Sequence, residues 1–114
     1  MNHLQVTFFE FQCRNPIQKF LRTVTVKQET KITKLIECLE KYGVTRMNPY
    51  IRKLTGTPLW EARILGKDNI RFFFVHVKGV HVIILHAFFK KTEKTMLKEI
   101  HLAMKRYALI LTKF

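Results

Sequence analysis

Apolar positions along the chain alternate between strand-like runs and helix-like stripes. Val6, Phe8, Phe9 and Phe11 predict a first strand over about residues 4–11. Asn15-Pro16 is a helix start, with Asn15 as N-cap and Pro16 in the first turn of a short helix ending near Arg22. Thr25 and Gln28 have capping-box spacing. Ile32, Leu35, Ile36, Leu39 and Tyr42 then recur at helical pitch until Gly43 ends the helix. Residues 44–58, with Pro49, Gly56 and Pro58, read as a loop. Three runs rich in Phe, Val and Ile follow at 59–65, 69–77 and 80–89. They are divided by Gly66-Lys67-Asp68 and Lys78-Gly79, turns tight enough for an antiparallel meander. A last helix begins near Thr95, its buried stripe supplied by Leu97, Ile100, Met104 and Tyr107 or Ala108. The expected fold is α+β, in the order β-α-α-β-β-β-α, with helices packed on one face of a mainly antiparallel sheet and the other face free. Residues 1–114 form a single domain.

The meander puts particular side chains together. In the run 59–65, Leu59, Glu61, Arg63 and Leu65 share one face, and Trp60, Ala62 and Ile64 the other. If residues 66–68 form a three-residue loop, Leu65 pairs with Asn69 and Arg63 lies opposite Arg71. Like charges directly opposed on a sheet repel. They are tolerated if an anion sits between them, if Glu61 partly neutralises them, or if another register separates them. A pair of guanidinium groups grips a phosphate with planar, multi-donor geometry that lysine cannot reproduce.

Charge adds a partner to this picture. The chain has 21 Lys and Arg against 8 Asp and Glu, a net +13. Residues 1–45 hold 7 basic and 4 acidic side chains (+3), and residues 46–114 hold 14 and 4 (+10). Such an excess points to a polyanion, most simply RNA, bound by the second half. A solvated basic face is the plainer reading, although solubility alone is served better by acidic residues. Lys90, Lys91 and Lys94 precede the last helix, whose N-terminus attracts phosphate. Phe88 and Phe89 are either core or, for the outward one, a base-stacking platform. His86, near Lys90, is a candidate proton carrier, while the five histidines form no helical zinc pair. Cys13 and Cys38 fit no metal pattern and read as free thiols of a reducing compartment. With no signal-peptide pattern and no apolar run of membrane-spanning length, the expected location is the cytoplasm, with no membrane partner. The chain contains no serine, which excludes serine-hydrolase chemistry, and neither a Walker loop nor a dinucleotide fingerprint is present.

The segment KLTGTPLWEARI, then IRFFFV, then HVIILHAFFKKTEKT and a basic helix resemble the RelE/HigB superfamily of type II toxins, nearest its phage-derived HigB-like branch. The resemblance implies a RelE-like fold and a metal-independent, cofactor-free mRNA endoribonuclease (an mRNA interferase) acting on the translating ribosome. It also implies neutralisation by a helix-turn-helix antitoxin of the HigA type within a toxin–antitoxin hetero-oligomer. In such toxins the 2′-OH attacks the adjacent phosphate, leaving a 2′,3′-cyclic phosphate and releasing the 5′-oxygen. Matched by position, Arg71 falls where the family has its central phosphate-binding arginine, Arg63 where a lysine or arginine of the preceding strand belongs, and Lys91 where a basic residue follows the last strand; Lys90 beside it and Lys53 are implied contacts to RNA or the ribosome. Glu61 stands where RelE-type members have lysine, and no tyrosine follows Lys91. Glu61 is then the candidate base and Lys91 or His86 the acid, with Lys94, Lys98 and Phe89 as further RNA or ribosome contacts. Two other functions compete: a non-catalytic ParE-like inhibitor of DNA gyrase, and a basic nucleic-acid-binding phage protein.

Overall fold

The structure, a computed structural model, describes residues 3–44, 50–64 and 66–112, without the side chains of 93–95. Its elements are β1 (Gln5–Phe8), α1 (Pro16–Leu21), α2 (Val26–Tyr42), β2 (Ile51–Lys53), β3 (Trp60–Ile64), β4 (Ile70–Lys78), β5 (His81–Phe89) and α3 (Glu93–Leu111). The fold is α+β, a five-stranded mixed sheet with three helices. Both predicted caps form. Asn15 Oδ1 accepts from the Gln18 N–H at 3.0 Å, and Thr25 and Gln28 cap each other's backbone. Gln28 also donates to Asp68 at 2.9 Å, beside a 3.0 Å bond from Lys31. These bonds tie α2 to the β3–β4 turn and hold the Asp68 carboxyl below its ordinary range, Gln28 contributing most. Gly43 ends α2 at φ +75°, its N–H donating to the Leu39 carbonyl at 2.9 Å.

The strand order is β1-β5-β4-β3-β2. The meander β3-β4-β5 is antiparallel as expected, and β1 adds in parallel to β5, pairing Val6 with Val82. Arg63 does lie opposite Arg71, and Ile64 opposite Ile70. The expected Leu65–Asn69 pair lies outside the described residues, as does Pro49. The stretch read as a loop contains β2, which pairs Arg52 with Glu61.

One expectation is overturned: the helices do not share a face. Ile17 of α1 and Ile32 and Leu39 of α2 pack on Ala62, Ile64, Phe72, Phe74 and Ile84. Met96, Ala103 and Ile110 of α3 pack on Phe73, Val75, Ile83, Leu85 and Phe88 of the opposite face. The cause is visible in β4 and β5, which are apolar at consecutive positions and therefore need cover on both sides. The stripe of α3 is correspondingly turned by about one residue, leaving Leu97 64% exposed. Tyr42 likewise falls off the stripe of α2.

Two local departures shape the α3 face. Between Phe73↔His86 and Phe74↔Ile84 the register shifts, so Leu85 is an extra residue in β5. Such a bulge re-aims neighbouring side chains, and here it sends both Leu85 and His86 toward α3. Gln12 and Cys13 have φ of 51° and 65°, forming a two-residue turn closed by reciprocal 3.0 Å bonds between Phe11 and Arg14. Among the described residues no helix is long and apolar enough to cross a membrane.

Candidate functional site

The polar residues of β2, β3 and β4 meet on the α3 side of the sheet. Arg52 opposes Glu61, and Arg63 opposes Arg71 one step along. Glu61 is 0% exposed. Its Oε1 accepts from Arg52 Nε at 2.7 Å, and its Oε2 lies 3.8 Å from Arg71 Nε on the diagonal. The repulsion foreseen between two facing arginines is thus offset by a carboxylate of the same face. The two partners differ in setting: the Arg71 side chain is 11% exposed and that of Arg52 55%. Arg71 also donates from Nη1 to the Ile70 carbonyl at 3.2 Å, and Arg63 is half-buried. Glu61 is enclosed, hydrogen-bonded to Arg52 and in ionic contact, beyond hydrogen-bond distance, with Arg71, so it faces arginine rather than solvent.

The other expected site residues distribute as follows. Phe88 opposes Arg71 and is buried under α3. Lys91, three residues on and exposed, is at the same end of the sheet. Lys90 is half-buried and its N–H donates to the Asn69 carbonyl at 2.8 Å. Lys53 belongs to the opposite face, its ammonium over the Trp60 ring at 5.9 Å and bonded to the Thr57 carbonyl. Phe89 also faces away from the arginines and packs on Phe20 of α1 at 5.1 Å. Lys98 is on the exposed side of α3 near His101 and Lys105. The side chain of Lys94 lies outside the described residues. Lys53 and Phe89 are therefore not gathered with Arg63 and Arg71.

A second polar cluster was only partly foreseen. His86, re-aimed by the bulge, bonds through Nε2 to Glu99 and through Nδ1 to Arg106 Nη1 at 3.1 Å. Arginine can only donate, so Nδ1 accepts and Nε2 carries the proton: the imidazole is neutral. Burial pushes the His86 pKa below its ordinary 6.5, against the pull of Glu99, and burial lowers that of Arg106 as well. Arg106 also donates to the Leu85 carbonyl at 2.8 Å, satisfying the bulge. Both ring nitrogens of His86 are thus taken up inside the protein, which removes it from the exposed proton carriers. Glu99 and Arg106 are seven residues apart, a spacing that puts them on one helix face and could have marked them in the sequence. Arg52 had no such signal, because it sits in a three-residue strand among turn residues.

A family model described as "Phage derived protein Gp49-like (DUF891)" matches residues 19–108, a span that includes both clusters. No curated protein matches the chain.

Two outcomes follow from this geometry. Glu61→Gln should lower unfolding stability by about 3 kcal/mol in urea titration. Breaking a buried ion pair costs roughly 3–5 kcal/mol, and the solvent reaching Arg52 puts this case at the low end. Loss of less than about 0.5 kcal/mol would mean that the buried carboxylate is not needed to hold Arg71. His86 binds its proton more readily when unfolded than when folded. Stability should therefore be full above about pH 6.5 and decline as pH falls below it, by up to about 1.4 kcal/mol per pH unit. Unfolding midpoints across a pH series should show His86→Gln flattening that decline, and an unchanged slope would remove His86 as its source.

Proposed function

We propose, from the premise that this chain belongs to the phage-derived Gp49-like family, that it is the toxin of a toxin–antitoxin module. In this reading it has a RelE-like fold, cleaves mRNA on the ribosome, and is neutralised by a HigA-type antitoxin. The observation that carries the reading is the Arg63–Arg71 opposition held by a buried Glu61. A sheet gains nothing in stability by facing two arginines, whereas a phosphate gains planar donors already in position. Arg71 and Arg63 then bind the scissile phosphate and the charge that builds on it as the 2′-OH attacks. Lys91, exposed at the same end of the sheet, is the candidate to protonate the leaving 5′-oxygen. With Glu61 enclosed, deprotonation of the 2′-OH has no exposed carboxylate in this cluster. A ribosome that holds the 2′-OH in line with its phosphate would supply the missing assistance, since orientation alone is worth roughly 7–11 kcal/mol.

That same enclosure favours a second reading, a ParE-like toxin that binds DNA gyrase without catalysis. The two separate on what accumulates in arrested cells, broken DNA or fragmented mRNA.

The test uses purified chain with free mRNA and with mRNA on stalled ribosomes. Cleavage should occur on the ribosome and be negligible on free mRNA. Arg71→Lys keeps the charge but not the fork, and should slow cleavage about a hundredfold or more, as the loss of one transition-state donor does. Lys53→Gln, on the other face, should have a much smaller effect. An Arg71→Lys variant that folds and cleaves at the wild-type rate would sink the site assignment.

A further inference from the structure

Away from the arginine cluster, a groove of about 800 Å³ runs between the β1–α1 segment and α3. Its rim is basic: Arg14, Lys19, Arg22 and Lys105 line it and are exposed, against a single acid, Glu10. Among the described residues none of these four cations makes an ion pair. The wall contributed by α3 is apolar, with Leu102 and Leu109 each 36% exposed and two helical turns apart. Between them and the sheet the floor is formed by Phe9 and Arg106. Arg106, half-buried, lies over the Phe9 ring at 5.7 Å and donates to the Leu85 carbonyl and His86, so it is a fifth cation of the groove, held at its floor rather than its rim.

We propose that this groove is the docking site for an acidic amphipathic α-helix of a partner protein. Two exposed leucines at a seven-residue spacing present the aliphatic surface that an amphipathic helix covers with its own stripe. The unpaired cations on either side select acidic flanks on that helix and repel basic ones. Single-stranded RNA fits less well. Stacking needs open aromatic faces, whereas Phe9 is buried beneath Arg106, Phe11 is half-buried against the core, and the exposed apolar surface is leucine. This inference goes beyond the proposed function, and it stands whether or not the chain cleaves RNA.

Cys13 is exposed and lines the groove, so its alkylation rate reports occupancy. A displayed library of helical peptides, randomised on every face, is selected on the full chain. Enriched peptides should carry a leucine stripe flanked by glutamates and should protect Cys13. They should bind about tenfold or more weakly to Leu102→Glu and to Arg14→Glu, the loss expected of a central contact. Both substitutions are on the surface, and unchanged thermal unfolding of each variant checks the fold. Growth arrest by these variants should match the wild type, which keeps failure of the groove distinct from failure of the toxin reading. No enrichment, equal binding to wild type and variants, or unprotected Cys13 would overturn the proposal. So would protection of Cys13 by single-stranded RNA but not by the peptides.

Discussion

A carboxylate with no exposure to solvent sets the polar architecture of the sheet. Isolated in the interior, the Glu61 charge would cost several kcal/mol, and so would the nearly buried guanidinium of Arg71. Together, with Arg52 completing the neighbourhood from β2, they make a row of charges that the sheet can contain. The row explains why β2 pairs where it does, with Arg52 opposite Glu61. It also explains how Arg63 and Arg71 can face each other without the sheet changing register. Whatever anion the arginines receive, the protein has met the cost of holding one of them in place before that anion arrives.

The second constraint is the two-sided apolar character of β4 and β5. It calls α3 onto the face that the arginines share, so that face is covered by a helix over Phe73, Val75 and Phe88 instead of being free. The bulge at Leu85 then lets a histidine into that layer, where Glu99 and Arg106 take both of its ring nitrogens. The same Arg106 lies over Phe9 in the floor of the groove beside α1. A single packing decision thus joins the core, the histidine cluster and the groove.

Much of this was legible in the residues, and the reasons are physical. Helix starts were readable because Asn15, Thr25 and Gln28 satisfy specific backbone groups. The Arg63–Arg71 register followed from the turn between β3 and β4, because hairpin length dictates pairing. What failed was long-range. Helical pitch puts a stripe on α3 but does not tell which sheet face receives it, although FFFV and VIIL were signs of strands buried twice. Alternation predicts that Leu85 and His86 point apart, and one extra residue in the ladder defeats it. Lys53 and Arg52 are neighbours, and only the pairing of β2 decides which of them meets Glu61. Glu61 itself was recognisable as a neutraliser of the arginine pair, but its complete enclosure between Arg52 of β2 and Arg71 and Phe73 of β4 could not be read from β3 alone.

The role proposed for Arg63 and Arg71, with Glu61 beside them, is phosphoryl transfer on messenger RNA. The most direct test is the chemistry of the RNA ends. mRNA recovered from ribosomes incubated with the purified chain would be examined for the groups at new termini. Attack by the 2′-OH leaves a 2′,3′-cyclic phosphate on one fragment and a free 5′-hydroxyl on the next, and the account predicts both. Intact mRNA, or fragments ending in a 3′-hydroxyl and a 5′-phosphate, would contradict it.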